Sequence, residues 1–590
     1  MIRHTLVLLG LFLGGLAGLA TEARAAADLN KVIRVEFPVA ETGFDPVLVH
    51  DLYSSTVVEA IFDPLLTYDY LASPAKLVPR AAEAMPEVGD QGKSYTFKVR
   101  KGIHFYPDPA FKGQRRELTA EDFAYSIKRH KDPKNRSVWK FLLDGKIIGL
   151  DEAEAEATKS GKFDYDKPMA GLKVIDRYTL RIELKVTDYN LGYILAMPSL
   201  AAVAREVIEA YPNDTNSHPV GTGPYYLKRW IRSAKIFLEA NPEYQAFTWD
   251  FKGSDDPWDK RVVAEMKGKK MPLIGQVEIN IIEEEQSAWL AFQNAELDLL
   301  YLRAQFSPVA IPEGKVNEQL ASRGVRLNRI TDPEITYHYF NMRDPIVGGY
   351  SKDKVALRRA ILMAYDNNEE IRIIRKNQAV ETHFPVPPGV VGHQPRYRSS
   401  NGYNLELANA LLERFGYRKG DDGWRTLPDG RPLVIRYASQ PDSTSRLFDE
   451  LWKKTFDAIG IRMEVQKEKF AELLKLEKQC RLMMRGAAWI ADYPDGDDFV
   501  MLLYGKNVGQ SNNACFELPE FDEIYERSAK MPPSPERDRL YVDLARLGEN
   551  YGVWKLNNTR YRNMLVYPRV KGYKKHPILL ADWMYLDVDK

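Results

Sequence analysis

A short segment near the C-terminal end sets one carboxylate among aromatic residues. Asp492 is preceded by Trp489 and followed directly by Tyr493, and Pro494 then marks a turn. An anionic side chain held among rings suits a ligand with a positively charged head, such as a free amine. The segment therefore predicts capture of a cationic group.

Motifs for chemical catalysis are missing. The sequence contains neither H-E-x-x-H nor G-x-S-x-G, and its nine histidines form no tight cluster. The acidic residues Asp492, Asp495, Asp497 and Asp498 lack the alternating spacing of a calcium loop. We therefore expect no catalytic residue, no metal and no cofactor. An exported hydrolase that uses Asp492 and Asp495 as paired carboxylates is kept as an alternative.

The N-terminus reads as a secretion signal. Arg3 and His4 precede an apolar run over residues 6–19, and Ala23-Arg24-Ala25 supplies a small-residue exit site. These are the three parts of a cleavable signal peptide, which we assign to residues 1–26, with cleavage beside Ala25, Ala26 or Ala27. An uncleaved anchor helix is the alternative. The mature chain is expected in the periplasm.

Composition narrows the class of partner. The chain has 590 residues, of which 44% are hydrophobic, enough for more than one core. Its formal net charge of +1 gives no reason to expect nucleic acid or an anionic membrane as partner. The two cysteines, Cys480 and Cys515, could form a disulfide in an oxidising compartment, and the sequence leaves open whether they meet.

Hydrophobic periodicity indicates strands interleaved with helices. Residues 95–100 and 461–465 alternate apolar and polar side chains, as half-buried strands do. Residues 448–459 carry apolar side chains at helical spacing, and Gly460 then ends the helix. Thr119 begins a capping box. This pattern predicts an α/β architecture. Residues 247–272 are rich in Lys, Asp and Gly and are interpreted as an exposed insertion.

An ordered set of short motifs resembles a known family. They are F-D-P at 44–46, F-D-P-L-L at 62–66, G-T-G-P-Y at 221–225, N-P-E-Y at 241–244 and W-I-A-D at 489–492. The chain resembles the peptide- and oligopeptide-binding proteins of bacterial ABC importers, solute-binding protein family 5, which also contains nickel and haem binders. The motifs run over nearly the whole mature chain.

The resemblance implies a periplasmic-binding-protein type II-like fold: two α/β lobes with a hinge, plus an extra third domain. Lobe I would be discontinuous, comprising residues 27–62, 191–332 and 566–590. The extra domain would span residues 63–190, and lobe II residues 333–565.

The resemblance also implies roles for residues of the W-x-x-D element. In peptide binders of the family its Asp holds the ligand α-amine, which here is Asp492, with Trp489 at the aromatic position. Tyr493 is included as a ligand-binding candidate beside them. Phe470 falls where an aromatic residue often lines the pocket, and it could equally belong to the core.

Other expected positions depart from the family pattern. Gly486 and Glu477 stand where the oligopeptide binders place basic residues for the peptide carboxylate, whereas Arg485 lies one residue away. Arg485 is therefore a candidate ligand contact only after a small shift. Tyr337 and Tyr339, on a predicted strand near the crossing between lobes, are further cleft candidates.

The resemblance implies a function without chemistry. The protein would be the solute-binding component of an ABC importer, capturing oligopeptides or modified peptides and delivering them to a membrane permease driven by an ATPase. We expect a monomer. The alternatives are the same class with haem, nickel, an opine or an oligosaccharide as solute, the exported hydrolase, and a peptide sensor or chaperone.

Overall fold

The computed structural model describes residues 27–590, so the predicted signal peptide lies outside the described residues. Within this range, no helix combines the length and the hydropathy needed to cross a membrane. The described chain forms sheets with helices between them, as the periodicity predicts.

One four-stranded sheet gathers strands that are distant in sequence. Its two parallel strands come from the N-terminal and middle parts of the chain, and two antiparallel strands complete it, in the spatial order Asp28–Phe37, Ile274–Ile281, Lys235–Ala240 and Tyr225–Ile231. The early segment and the middle of the chain therefore share one sheet, as expected for a discontinuous lobe I.

A five-stranded mixed sheet organises the second half of the chain. Its spatial order is Arg462–Lys467, Val434–Ser439, Met484–Ile490, Glu334–Phe340 and Trp554–Leu556. The first three strands are parallel and the last two join antiparallel. The helix Ser443–Ala458 packs on this sheet through the fully buried side chains of Trp452 and Phe456. This helix and sheet belong to a second, separate hydrophobic core.

The early insertion has a sheet of its own, entirely antiparallel, in the order Glu87–Gly89, Ser94–Lys98, Thr179–Glu183 and Leu172–Asp176. All four strands lie within residues 63–190, the range predicted for the extra domain. The residue limits of the three domains stay a prediction.

A further antiparallel sheet ties the two halves together. The strand Asn558–Val566 pairs with Leu299–Tyr301 and Arg326–Thr331 from one half and with Ala379–Glu381 from the other. The chain crosses between the halves at residues 332–333 and returns along Asn558–Val566. Few connections at this point suit a hinge.

The remaining strands form short two-stranded pairs: Leu66–Tyr68 with Leu77–Pro79, Phe247–Thr248 with Lys270–Met271, and Val570–Lys571 with Asp587–Val588. The other α-helices are Leu52–Ile61, Ala120–Arg129, Leu150–Ser160, Leu191–Ile194, Arg205–Ala210, Pro257–Met266, Glu285–Gln293, Ser307–Ala310, Glu318–Ser322, Lys352–Ala364, Asn367–Ile373, Leu405–Arg414, Phe470–Lys478, Asp497–Val500, Pro519–Ser528 and Pro535–Asn550. Short 3-10 helices cover Pro109–Phe111, Lys140–Leu142, Pro198–Leu200, Ala304–Phe306, Pro312–Gly314, Met501–Leu503, Gly505–Asn507 and Trp583–Tyr585.

Two sequence signals that depend on backbone chemistry, the Thr119 capping box and Gly460, are confirmed. Thr119 is the N-cap of Ala120–Arg129, and its capping box with Asp122 is formed, the Thr119 N–H donating to Asp122 Oδ2 at 2.8 Å. Gly460, with φ of +70°, follows the helix that ends at Ala458. A left-handed conformation at this point suits glycine and stops the helix.

The interpretation of residues 247–272 as an exposed insertion is wrong for its apolar residues, although most of its charged side chains are exposed. The segment contains the helix Pro257–Met266 and a strand pair, and the Trp249 side chain is fully buried. The Trp249 indole donates to the Tyr585 carbonyl at 3.2 Å. The C-terminal residues that cover Trp249 are more than 300 positions away in sequence, so local charge could not reveal the burial.

The G-T-G-P-Y motif is a close crossing of two backbones. The Gly223 N–H donates to the Ile61 carbonyl at 2.8 Å. A Cβ atom at Gly221 would overlap the same carbonyl oxygen. Glycine at these positions is required because no other residue allows the two chains to approach this closely.

We expect Gly221→Ala to lower the free energy of unfolding by about 1–3 kcal/mol, because the added methyl group forces the crossing apart. Gly402→Ala is the matched control, since a Cβ there meets no atom within 4 Å. Urea denaturation of both variants measures the difference. Equal stability of the two variants would contradict this account of the crossing.

Candidate functional site

Two adjacent strands present most of the predicted site residues on one face. In the register between Glu334–Phe340 and Met484–Ile490, Tyr339 pairs with Arg485 and Ile335 pairs with Trp489. Side chains directly opposite each other lie on the same face of a sheet, and alternate residues share it. Tyr337 therefore joins Tyr339, Arg485 and Trp489 on this face.

Asp498 holds the W-x-x-D element in shape. Its Oδ2 accepts the backbone N–H of Asp492 at 2.7 Å, and its Oδ1 accepts the Trp489 indole N–H at 3.3 Å. Asp498 is fully buried at the helix Asp497–Val500. The bonds from one carboxyl thus set the relative positions of Trp489 and Asp492.

The carboxyl group of Asp492 is buried with little to stabilise a negative charge. The residue as a whole is partly exposed, but its Oδ2 atom is buried and has no hydrogen-bond partner among residues 27–590. Burial raises the pKa of Asp492 to about 7. It also raises the pKa of Asp498 well above its usual range, and the nearby Asp492 carboxylate adds to that shift. The two carboxyls form an acidic pair that favours either a shared proton or a cation.

A column of tyrosines connects this acidic pair with other parts of the fold. The Tyr493 ring lies parallel to that of Tyr193, with centroids 6.2 Å apart, and Tyr193 lies parallel to Tyr68 at 6.4 Å. The Tyr493 hydroxyl donates to Asp497 Oδ2 at 2.8 Å, and only 1% of Tyr493 is exposed. Tyr493 therefore packs the segments together.

Tyr68 is a polar group that sequence reasoning missed. Its hydroxyl is buried without a hydrogen-bond partner in the described chain. Burial raises its pKa well above the usual range, and the charges of Tyr193, Asp498 and Asp492 contribute. A donor close to the acidic pair is available to a ligand. The sequence places Tyr68 more than 400 residues from Asp492, and no local pattern marks it.

A cavity of about 380 Å³ extends along the same two strands. Among the predicted site residues, Tyr337, Arg485 and Phe470 line it, whereas Asp492, Trp489, Tyr493 and Tyr339 do not. Its wall follows the strand from Arg485 to Ala488, towards the end that carries Asp492. The volume lies in the range of small-molecule pockets.

The charge of Arg485 is balanced inside the protein. Its Nη1 lies 2.5 Å from Glu477 Oε2, and both side chains are buried. Tyr339 donates its hydroxyl to the other oxygen of Glu477 at 2.8 Å. The Phe470 ring lies 5.7 Å from the Arg485 guanidinium. Arg485 therefore lines the cavity with its positive charge balanced by Glu477. The Tyr339 hydroxyl helps to hold the Glu477 carboxylate in place.

A second cavity, of about 170 Å³, lies between the two halves of the fold. It shares Arg375 and Arg560 with the larger cavity, and Arg303 contributes from the opposite half. Arg303 Nη2 bonds Glu36 at 3.0 Å, but its Nη1 is buried without a partner in the described chain. This region is rich in cations, in contrast to the acidic pair.

A disulfide braces one wall of the larger cavity. Cys480 and Cys515 are bonded, with their Cα atoms 6.1 Å apart. Cys480 follows the helix Phe470–Lys478, which carries Phe470, Leu473 and Glu477. The cross-link therefore ties this helix to the loop before Pro519–Ser528.

The acid proposed for hydrolysis has a structural role instead. Asp495 accepts the Arg537 guanidinium at 2.6 Å and the Tyr541 hydroxyl at 3.0 Å, and it is fully buried. Both of its oxygens are thus already bonded to one neighbouring helix, Pro535–Asn550. Nothing in this geometry pairs Asp495 with Asp492.

Two lobes, a sheet that joins them and a cavity along the strands that carry the candidate site are the architecture of a solute-binding protein. Residues 76–511 match the family model for bacterial extracellular solute-binding proteins, family 5. The chain belongs to this family. It has the type II periplasmic-binding-protein fold with a third domain, which confirms the predicted fold class.

Relatives within the family bind different solutes. The chain is 24% identical to di/tripeptide-binding protein 2 of Pseudomonas aeruginosa, over 97% of this chain and 98% of that protein. It is 23% identical to heme-binding protein A of Haemophilus influenzae, over 91% and 89% of the two chains. The structure of Helicobacter pylori DppA in complex with the peptide STSA superposes with a TM-score of 0.76, at 19% identity, over 95% of this chain and 98% of that one.

The raised pKa of Asp492 predicts a pH effect on stability. Because the folded protein holds the Asp492 proton more tightly than the unfolded chain, the stabilisation is complete below the ordinary carboxyl pKa of 3.8 and is lost as the pH rises through about 7. In ligand-free protein, Asp492→Asn should gain a few °C in melting temperature relative to wild type between about pH 5 and about pH 8.

Thermal unfolding across this pH range measures the effect. Asp255→Asn is the control, because the Asp255 side chain is fully exposed. A melting-temperature difference for Asp492→Asn that stays constant with pH would show that this carboxyl does not titrate near neutrality.

Proposed function

We propose that the protein captures short peptides in the cleft between its lobes and delivers them to a membrane permease driven by an ATPase. The observation that carries the proposal is the buried Oδ2 of Asp492, which has no hydrogen-bond partner among residues 27–590 and belongs to an acidic pair that no cation of this range bonds. A peptide α-ammonium supplies the missing charge through a charge-assisted hydrogen bond. The relatives named for peptides support this choice of solute.

The opposite end of a peptide carries a carboxylate, and the cation-rich cavity suits it. Arg375 Nε bonds Glu370 at 3.2 Å and Arg560 bonds Glu334 at 2.6 Å, so both are already partly balanced. Arg303 keeps one buried nitrogen that has no hydrogen-bond partner within residues 27–590. We assign the ligand carboxylate to Arg303, in place of the sequence-based candidate Arg485, whose charge Glu477 balances.

The middle of the ligand would lie along the larger cavity. Tyr337, Phe470 and the backbone of residues 485–488 form its wall. Contacts to backbone groups give affinity without demanding a particular side chain, as in peptide addition to strands. The lobes would close over the ligand because the closed state binds it more tightly.

Haem is a weaker candidate solute, although one relative is named for it. Haem iron needs a free axial ligand such as histidine. The cavity histidine, His338, has Nδ1 bonded to Asn557 at 2.9 Å and Nε2 to the Tyr437 hydroxyl at 3.2 Å. Burial lowers the pKa of His338 to about 4. Both ring nitrogens are occupied, so His338 is a structural residue.

The protein would act as a monomer in the periplasm, after removal of residues 1–26, and without catalysis. In this role it needs only to bind, close, dock on the permease and release. The bonding of Asp495 to Arg537 and Tyr541 disfavours the hydrolase alternative.

The amine anchor is tested with a free peptide and its N-acetylated form. Asp492→Asn should weaken the free-amine peptide about 10- to 100-fold, because one charge-assisted hydrogen bond is lost. The acetylated peptide should bind wild type weakly and change little in the variant. Calorimetry gives the four dissociation constants, with Asp255→Asn as the surface control. If acetylation leaves wild-type affinity unchanged, Asp492 does not hold an amine.

The carboxylate end is tested with Arg303→Lys. Lysine keeps the charge that balances Glu36 but removes the second arm of the guanidinium. We expect about tenfold weaker binding of a peptide with a free C-terminus and little change for its C-terminal amide. Arg343→Lys, at an exposed position, is the matched control. Equal losses for both peptides would assign Arg303 a structural role only.

A further inference from the structure

A third cavity lies within predicted lobe II. It has a volume of about 60 Å³ and lies between the edge strand Trp554–Leu556, the helix Pro535–Asn550 and the segment around Thr382. None of its lining residues lines either of the two cleft cavities. It is therefore a separate space in the molecule.

Most of the wall of this cavity is apolar. Val500, Leu503, Phe521 and Leu544 form one side, and Trp554 forms another. Phe521, Leu544 and Val500 belong to the main hydrophobic core. Apolar cavities of this kind retain apolar ligands better than they retain water.

One charged side chain in the wall lacks a partner. Lys555 is 5% exposed and lines the cavity. Across residues 27–590, its ammonium makes no hydrogen bond and no ion pair, although many other buried cations of the chain do. Burial lowers its pKa to about 8, and the carboxylates Glu381, Glu370 and Asp366 only partly oppose this.

The nearby polar groups are already bonded. Glu381 Oε1 accepts the Asn367 amide at 3.1 Å, and Glu381 Oε2 lies 3.6 Å from His383. Glu549 accepts the Tyr397 hydroxyl at 2.6 Å. A buried ammonium without a hydrogen-bond acceptor is costly, so the missing element at Lys555 is an anionic acceptor.

We propose that this cavity is a second binding site, which takes a small aliphatic monocarboxylate. The carboxylate accepts hydrogen bonds from the Lys555 ammonium, and the alkyl chain lies against Val500, Leu503 and Leu544. The small volume of the cavity limits the ligand to a short chain. The proposal does not depend on the solute of the cleft.

The experiment uses saturation-transfer NMR on the full mature protein with butyrate, butanamide and butylamine. These probes have matched size and differ in charge. Butyrate should bind saturably, the neutral amide at least about tenfold more weakly, and the amine not at all. Lys555→Met should reduce butyrate affinity at least about tenfold. Lys260→Met, at an exposed lysine, should leave it unchanged.

A second variant separates binding from folding. Ala545→Leu fills the apolar end of the cavity and keeps Lys555, and it should abolish butyrate binding as well. Lys555→Met should melt at or above the wild-type temperature, because it removes an unpaired buried charge. Absence of saturable butyrate binding to wild type would overturn the proposal, and so would equal binding to wild type and both variants. If Lys555→Met does not fold, the Ala545→Leu result decides.

Discussion

The buried carboxyl pair of Asp492 and Asp498 is the constraint on which the candidate site depends. Asp498 uses its oxygens to fix the Asp492 backbone and the Trp489 ring, so it cannot move away without loosening the whole element. Asp492 is left with a buried oxygen and no partner in the described chain. A negative charge deprived of water is unfavourable until a proton or a cation joins it. In the proposed function, ligand binding and charge balance are therefore one event at this site.

Positively charged side chains line the smaller cavity, at the other end of the proposed cleft. Arg303, Arg375 and Arg560 lie there, each bonded to a carboxylate, and one Arg303 nitrogen has no partner in the described part of the chain. A ligand with a positive head and a negative tail complements both ends, and a peptide is such a molecule. Between them, Glu477 balances Arg485 and leaves the middle of the cavity without net charge at this point. A site that recognises the two charged ends of a peptide and tolerates different side chains between them suits a carrier of varied peptides.

The fold could be predicted from the sequence because its signals lie within short segments or add up along the chain. Strand alternation, the Thr119 capping box and Gly460 follow from backbone chemistry, and the ordered motifs indicated the family. The sequence also singled out Asp492, since an acid between rings is an unusual local pattern. The sequence did not reveal that Glu477 balances the charge of Arg485, because only the folded chain brings the two side chains together.

The features that sequence reasoning missed depend on contacts between distant segments. The sequence marked Asp498 only as one of four acids that lack the spacing of a calcium loop, yet it is buried and bonds the Asp492 backbone and the Trp489 indole. Tyr68, Arg303 and Lys555 have no local motif. The Tyr68 hydroxyl and one Arg303 nitrogen lack partners among residues 27–590, and burial disfavours the charge of Lys555. Trp249 shows the same limit, since the residues that bury it follow more than 300 positions later.

Proton release on ligand binding tests the central claim most directly. Calorimetric titration of a free-amine peptide near pH 6, repeated in buffers with different ionisation heats, counts the protons released. If an ammonium replaces the proton on the acidic pair, binding releases a substantial fraction of a proton near pH 6 and the release fades well above pH 7, where the Asp492 carboxyl, with its pKa of about 7, is already ionised. Binding heats that do not depend on the buffer near pH 6 would contradict the account.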